Sequence, residues 1–329
     1  MRRAALALLL ACAWLAAGGA EARGRERIVA VGDVHGAHAP LLALLGAAQL
    51  ADARGHWVGG RATLVQLGDF LDRGPDERAL IDTLRSLQRE AKRAGGEVVV
   101  LLGNHEVLSL DGDWRYASPE AIAGFGGAAA RRAAFSRSGD DGRWLRSLPA
   151  IVRIDGNVFV HGGVTPEVAA LGVRGIQSRV RDELKRIDAA RASAVREGTL
   201  TEDASLDDLL ALKPPSLESY PGWLIASTRG PLWYRGLAQA SDAEIAAELP
   251  VLLRSLGARR IVVGHTPQLP AAIRSRAGGR VILADTGMLG GAFYPGGAPL
   301  ALEIRGDALA TIDAKGVRTP LAPTPTRTP

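Results

Sequence analysis

Five short apolar runs in this sequence each end beside a glycine and a side chain that can bind a metal ion. The clearest is residues 64–74, where an apolar run leads through Gly68 to Asp69, and Asp72 and Arg73 follow. Glycine lets the backbone turn sharply at the end of a strand. Asp69 is therefore predicted to lie at the rim of a sheet, where open α/β sheets bind their ligands.

The same arrangement recurs four more times. The other turns are Gly32-Asp33-Val34-His35-Gly36, Gly103-Asn104-His105-Glu106, His161-Gly162-Gly163 and Gly264-His265-Thr266. Four of the six histidines lie in these turns. A single turn of this kind indicates only a strand and a tight connection. Five of them, with oxygen and imidazole ligands and no cysteine, predict a site for a divalent metal such as manganese, iron or zinc.

Asp69 is predicted to be shared by two metal ions. The first ion is assigned Asp33, His35 and Asp69. The second ion is assigned Asp69, Asn104, His161 and His265. Two ions ~3.5–4 Å apart can bind one hydroxide between them and hold a phosphoryl group during in-line displacement. This arrangement predicts hydrolysis of a phosphate ester by a metal-bridging hydroxide, with no protein base needed for the nucleophile.

Other side chains in the same turns suit the remaining steps. Arg73 and Arg235 are predicted to bind the substrate phosphate, because guanidinium makes two-pronged contacts with phosphate oxygens, and Asn104 is assigned to phosphate as well as metal. His105 is predicted to protonate the leaving group, with Asp72 keeping its imidazole charged and oriented.

These roles have simpler alternatives. Asp72 and Arg73 would then only pair with each other at the surface. Arg235 would belong to a packed Trp-Tyr-Arg segment and face solvent. Glu106 is interpreted as a residue behind the ligands or at a helix start, and not as a ligand.

Composition narrows the class of protein. The chain has 329 residues, with 47% hydrophobic and 23% charged, which is enough for a normal core in one large domain or two smaller ones. The formal net charge is +5 and the pI is about 9.8, but the arginines are scattered. Nucleic-acid binding needs clustered basic residues and aromatic rings for stacking, and only 5% of residues are aromatic. We therefore expect no nucleic-acid partner.

The N-terminus has the pattern of a secretory signal peptide. Arg2 and Arg3 precede an apolar run over residues 4–17, and the sequence Ala20-Glu21-Ala22 fits a cleavage site. Cleavage near Ala22 would also remove Cys12, the only cysteine. We expect a secreted or periplasmic protein with no stable membrane insertion after cleavage.

The domain organisation follows from these segments. After a signal peptide over residues 1–22, one α/β domain is predicted for residues 23–312, with a helical insertion at about 167–228. Residues 271–312 are predicted to form a second antiparallel sheet, and residues 313–329, rich in Pro and Thr, a disordered tail. Helical periodicity predicts helices over 77–93 and 242–256. Two short strands that turn at Asp155-Gly156 predict a hairpin over 151–160.

The five turns together resemble the motifs of the PPP-type metallophosphatases, over about residues 27–290. The resemblance implies a calcineurin-like α/β fold, with two packed mixed β-sheets flanked by helices. It also implies a dinuclear metal centre, manganese being expected with iron or zinc as alternatives, and phosphoester hydrolysis. The roles that it implies for the matching positions agree with those given above.

Departures point to one branch of that family. Its eukaryotic serine/threonine enzymes have alanine at the position of Gly162 and arginine at that of Val263. The segment Leu232-Trp233-Tyr234-Arg235-Gly236, the His161-Gly162-Gly163 turn and the export signal are more similar to the bacterial Shewanella-like phosphatases. That branch includes tyrosine-directed enzymes, so phosphotyrosine and phosphoserine/threonine substrates both stay open.

The leading hypothesis is therefore a metal-dependent phosphatase acting on phosphoproteins or phosphopeptides. A dinucleoside-polyphosphate or nucleotide phosphatase is the alternative within the hydrolases, and Asp72 and Glu106 argue against it, because that relative typically departs from the motifs there. A non-catalytic metal-binding module is the alternative of another class. It predicts loss of the proposed acid or phosphate-binding residues, yet His105, Asp72, Arg73 and Arg235 are present.

Overall fold

A computed structural model describes residues 27–201 and 204–322, and two β-sheets form its centre. The strands of the first sheet are β1 Ile28–Val31, β2 Thr63–Gln66, β3 Glu97–Val100, β9 Leu300–Arg305, β10 Ala308–Asp313 and β11 Arg318–Pro320. Their order is β11-β10-β9-β1-β2-β3. Strands β1, β2 and β3 are parallel, whereas β9 pairs with β1 in the antiparallel sense.

The second sheet is also mixed. Its strands are β4 Ile151–Ile154, β5 Asn157–Val160, β6 Arg260–Val263, β7 Arg274–Arg276 and β8 Val281–Leu283. Their order is β4-β5-β6-β8-β7. Strands β5, β6 and β8 are parallel, so their carboxyl ends lie at one edge of the sheet.

Helices cover the sheets and fill the connections. They are α1 His38–Ala47, α2 Glu77–Arg93, α3 Asn104–Leu110, α4 Pro119–Gly124, α5 Ala128–Phe135, α6 Asp140–Ser147, α7 Pro166–Ala169, α8 Gly172–Arg196, α9 Leu206–Ala211, α10 Gly236–Gln239 and α11 Asp242–Leu256. Short 3-10 turns occur at Pro215–Leu217, Tyr220–Gly222 and Ala277–Gly279. Helices and 3-10 turns therefore make up most of the described part of segment 167–228.

The two sheets face each other across a buried apolar layer. Val65 and Leu67 of the first sheet lie in one cluster with Phe159, Val262 and Ile282 of the second. A second cluster joins the outer face of the first sheet to α1 and α2, and a third joins the second sheet to α7 and α11. The layers are thus helix, sheet, sheet, helix, which confirms the predicted calcineurin-like fold of two mixed sheets flanked by helices.

Local sequence signals explain several boundaries. Helices α2 and α11 have the predicted bounds. In α11, Ser241 accepts the N–H of Glu244, whose carboxylate accepts the N–H of Ser241, and Gly257 ends the helix with φ 60°. The predicted hairpin forms β4 and β5, and its turn residues Asp155 and Gly156 both have positive φ.

The C-terminal predictions need two corrections. Residues 271–312 do not form one further sheet, because β7 and β8 join the second sheet whereas β9 and β10 join the first. The predicted tail begins too early, because Arg318–Pro320 pair with β10 at the edge of the first sheet. Proline is tolerated there because an edge strand has one unpaired side. The predicted signal peptide and residues 323–329 lie outside the described residues.

A search of residues 27–201 and 204–322 for a helix with the length and apolar character of a membrane span finds none.

The helical insertion contacts the rest of the domain beside the buried side chain of Asp111. Arg191 of α8 donates to the backbone oxygen of Asp111, and Arg146 pairs with Asp188 of α8 at 2.8 Å. The Asp111 side chain is buried, and its Oδ2 has no hydrogen-bond partner within residues 27–201 and 204–322. Burial raises the pKa of Asp111 to about 7. The folded chain therefore binds the carboxyl proton of Asp111 more tightly than the unfolded chain does.

Asp111→Asn is expected to make the protein more stable than wild type at pH 8 but not at pH 4. The stability that comes from the raised pKa is complete below the unfolded value and is lost as pH rises to about 7. The difference between the two proteins should change by about 3–4 kcal/mol over this range. Urea unfolding of both proteins at several pH values measures it, and parallel pH profiles would contradict the assignment.

Candidate metal centre

The turns that carry the site residues have unusual backbone geometry. His35, Asp69, Asp72, Arg73 and His265 all have φ between 46° and 69°. A left-handed conformation costs a non-glycine residue roughly 1–2 kcal/mol, so the surrounding structure must maintain it. Part of that support comes from the turns themselves, because the N–H groups of residues 34 and 35 both donate to the backbone oxygen of Asp69.

Glycine lets these turns touch. Gly36 has φ 72°, and a Cβ atom on it would overlap the backbone of Gly74. A Cβ atom on Gly103 would overlap the carboxylate of Asp69. The glycines beside the predicted ligands therefore permit the close approach of separate turns.

Glu106 fixes the turn that carries Asp69. Its buried carboxylate accepts the N–H groups of Asp69, Phe70, Leu71 and Gly103 at 2.8–3.1 Å. Glu106 thus lies behind the ligands at the start of α3, as the sequence indicated. It ties the end of β2 to the end of β3.

The six predicted metal ligands come together at the carboxyl ends of the strands. All are at most 4% exposed: Asp33, His35, Asp69, Asn104, His161 and His265. The Nε2 atom of His161 lies 3.1 Å from Asn104 Oδ1, 3.1 Å from His265 Nδ1 and 3.2 Å from Asp69 Oδ2. These donor atoms therefore surround one point.

Two of the imidazoles, those of His35 and His161, are oriented for binding through Nε2. His35 and His161 face the backbone oxygens of Leu71 and Leu67 with their Nδ1 atoms, at 2.9 and 2.8 Å. An Nδ1–H that donates to a carbonyl leaves Nε2 as the ligand atom. His35 Nε2 lies 3.9 Å from a carboxylate oxygen of Asp33 and 3.9 Å from one of Asp69.

Two groups of donor atoms share Asp69. One contains His35, Asp69 and His105, the other Asp69, His161 and His265, and the donor atoms of each lie within 4.8 Å of one another. His265 faces this position with its Nδ1 atom, 3.1 Å from His161 Nε2, so Nδ1 is its candidate ligand atom. The described residues thus fit a dinuclear metal site, with Asp69 in the shared position.

The pKa values show how closely the charges are placed. Burial, followed by the nearby charge of His161, lowers the pKa of His265 to about 2, and burial lowers that of His35 to about 3. Burial acts to lower the pKa of His161 too, but the carboxylates of Asp69 and Asp33 raise it to about 10. A proton on His161 thus balances the buried carboxylates, and a divalent cation would take over that balance.

The proposed acid and its partner are in contact. His105 Nδ1 donates to Asp72 Oδ2 at 2.7 Å, and both residues are buried. Burial acts to lower the pKa of His105, but the charges of Asp69 and Asp72 raise it overall. The shift in pKa favours the protonated form of the imidazole that an acid requires.

The two predicted phosphate-binding arginines line one pocket of about 340 Å³. The Arg73 guanidinium lies 2.6 Å from His35 Nε2 and 3.1 Å from His105 Nε2. Arg235 donates to the backbone oxygen of His265 at 2.5 Å and to Thr266 Oγ1 at 3.2 Å. Both arginines are partly buried, so neither is a simple surface side chain.

Two further residues of the site were missed in the sequence. Asp285 follows β8 and is fully buried beside Asp33, and one of its carboxylate oxygens has no partner in the part of the chain that the structure describes. Burial raises the pKa of Asp285 to about 6. Its signal was present, because an apolar run over 281–284 leads to Asp285 and then to glycine. Tyr294, whose hydroxyl accepts from Arg73 and whose ring stacks on His35, follows no such pattern.

Known proteins resemble this chain over most of its length. Residues 26–269 match the model of the calcineurin-like phosphoesterase family. An uncharacterised protein of Schizosaccharomyces pombe is 35% identical over 268 residues, which cover 79% of this chain and 73% of the relative. Shewanella-like protein phosphatase 1 of Plasmodium berghei is 29% identical over 268 residues, covering 80% of this chain and 67% of the relative.

A solved structure is similar as well. The cold-active protein-tyrosine phosphatase of a psychrophilic Shewanella species superposes with a TM-score of 0.67 and 28% identity, over 91% of this chain and 81% of that one. The family match spans all six predicted ligands and strands β1 to β6, whose ends carry them. The chain therefore belongs to the calcineurin-like phosphoesterase family and is a hydrolase of the phosphatase class.

Proposed function

We propose that this phosphatase acts on phosphoproteins, with phosphotyrosine preferred over phosphoserine and phosphothreonine. The observation that supports this most is the aromatic rim of the pocket, formed by Tyr116, Trp233 and Phe293. The side chains of Tyr116 and Phe293 are 44% and 58% exposed beside a buried charged centre. Exposed rings at that place offer a stacking surface for the phenyl group of a substrate. The tyrosine-phosphatase name of the similar Shewanella structure supports the same class.

Each polar residue of the site then has a role in the reaction. Two divalent ions, when bound, supply an activated water and positive charge for the phosphoryl group. Arg73 and Arg235 hold phosphate oxygens with the guanidinium nitrogens that protein acceptors leave available. Asn104 turns its Oδ1 toward His161, so its amide nitrogen is the group left for a phosphate oxygen. His105 donates a proton to the leaving oxygen, and Asp72 orients it.

Manganese is our proposal for the native ion, because oxygen and imidazole donors without thiolate suit it, with iron or zinc as alternatives. We propose export to the periplasm or the medium, from the signal-peptide pattern over residues 1–22. Metal analysis of the protein as isolated tests the first proposal. N-terminal sequencing of the exported protein, expected to begin near Arg23, tests the second.

A comparison of three substrates tests the proposed function. The protein without residues 1–22 is stripped of metal, restored with manganese, and assayed on a phosphotyrosine peptide, the matching phosphoserine peptide and a dinucleoside polyphosphate. We expect kcat/KM for phosphotyrosine to exceed that for phosphoserine at least about tenfold. Equal rates on both peptides would contradict the tyrosine preference. Cleavage of the dinucleoside polyphosphate alone would replace the phosphoprotein proposal.

A variant pair makes the comparison specific to the rim. Phe293→Ala should raise KM for the phosphotyrosine peptide and leave KM for phosphoserine unchanged, because only the larger ring reaches the rim. Leu212→Ala removes another exposed apolar side chain, 44% exposed, that does not line the pocket, and should change neither value.

A further inference from the structure

A buried arginine lies close to the proposed acid but outside every motif that predicted the site. Arg131 of α5 has no exposed surface. Its guanidinium carbon lies 4.7 Å from the ring centre of Phe135, 4.9 Å from that of Trp114 and 5.8 Å from that of Phe125. A charged side chain enclosed by rings is rare unless a specific partner stabilises it.

The hydrogen-bond partners of Arg131 connect it to the proposed acid His105 and to Asp72. Arg131 donates from Nε and Nη2 to the carboxylate of Glu77 at 2.9–3.2 Å, and from Nη2 to Ser109 Oγ at 3.1 Å. Glu77 in turn accepts the backbone N–H of Asp72 at 2.8 Å. Arg131 Nη2 also lies 3.7 Å from Asp72 Oδ1, whereas the other carboxylate oxygen of Asp72 binds His105.

Asp72 needs this support. Its φ of 66° is left-handed, and its buried Oδ1 has no hydrogen-bond partner among the described residues. The Arg131 cation lies between two buried carboxylates, those of Glu77 and Asp72. Without that cation the two like charges would repel each other in a site that excludes water, and the Asp72 turn would shift.

We infer that Arg131 is a positioning residue for phosphoester hydrolysis, which fixes Asp72 directly and through Glu77 so that His105 points at the leaving oxygen. The inference rests on the acid role proposed for His105 and Asp72. Arg131 does not line the substrate pocket. Its loss should therefore slow proton donation and leave substrate binding nearly unchanged.

Two substrates with different leaving groups test this inference in the manganese-loaded protein. Phenyl phosphate releases a phenol as basic as tyrosine, with a pKa of about 10, which needs a proton from the acid. p-Nitrophenyl phosphate releases a more acidic phenol that needs it less. We expect Arg131→Met to lower kcat on phenyl phosphate by about 10- to 100-fold, with a much smaller loss on p-nitrophenyl phosphate and KM within about twofold.

A conservative variant and a matched control separate positioning from general damage. Arg131→Lys keeps the cation and should show an intermediate loss, again confined to phenyl phosphate. It carries the same test if Arg131→Met does not fold. Arg146→Met removes another largely buried ion pair, that with Asp188, and should change both substrates equally. Equal losses on both substrates in either Arg131 variant would overturn the inference.

A double variant distinguishes this inference from the proposed acid. His105→Gln alone should show the same dependence on leaving group, and adding Arg131→Met should lower kcat no further, because both act in one step. Additive losses would overturn the role of Arg131 while leaving His105 as the acid. If His105→Gln shows no dependence on leaving group, the acid assignment itself is wrong and the inference fails with it.

Discussion

Replacing Asp69 with asparagine is expected to lower kcat/KM by about three orders of magnitude, through the loss of several kcal/mol of stabilisation from the metal centre. Asp69 belongs to both groups of donor atoms, so one substitution weakens both ion sites. The neutral amide also removes one of the charges that raise the pKa values of His105 and His161. No other predicted ligand combines these effects.

The measurement pairs kinetics with metal content. Asp69→Asn and wild type are loaded with manganese, desalted and analysed for bound ion before assay. Asp76→Asn is a matched control, because Asp76 lies in the same connection but is exposed. We expect full activity and metal content in the control. A near-normal rate with two bound ions in Asp69→Asn would show that Asp69 is not the shared ligand.

Replacing His105 with glutamine is expected to lower kcat on phenyl phosphate by about 10²- to 10⁴-fold, the usual contribution of a general acid. The raised pKa of His105 also predicts the direction in which the rate changes with pH. The acid form persists to a higher pH than in a free histidine, and the wild-type rate should fall as pH rises through that pKa. The variant should lack this fall.

His56→Gln is the control for His105, because the His56 side chain is 62% exposed and pairs with Glu90 at the surface. Its kinetics should match wild type at every pH. A His105→Gln protein that keeps the wild-type pH profile and rate would exclude His105 as the proton donor.

The sequence was sufficient for the centre of the site because its geometry is local. Each ligand follows a short apolar run and lies in a turn that contains a glycine, and parallel strands bring such ends to a common edge. On that ground alone, five of the predicted ligands could be placed together: Asp33, His35, Asp69, Asn104 and His161. The structure shows them within a few ångströms of one another, whereas the role of each stays a prediction.

The rest depends on contacts that no local pattern records. Arg131 lies in an alanine-rich helix that resembles a surface helix, and only the tertiary fold reveals its ion pair with Glu77, 54 positions away. Tyr294 meets Arg73 across 221 positions. The alternation of residues 271–312 indicates strands but not their partners, and so the division of β7–β10 between two sheets could not be predicted.

The proposed ligands come from both layers of the sandwich. Asp33 and Asp69 follow strands of the first sheet, and His161 and His265 follow strands of the second. Ions bound there would link the two sheets, and they would neutralise carboxylates that otherwise repel each other inside the protein. Scarcity of the metal would therefore shorten the lifetime of the folded protein under heat or proteolysis. It would also stop catalysis.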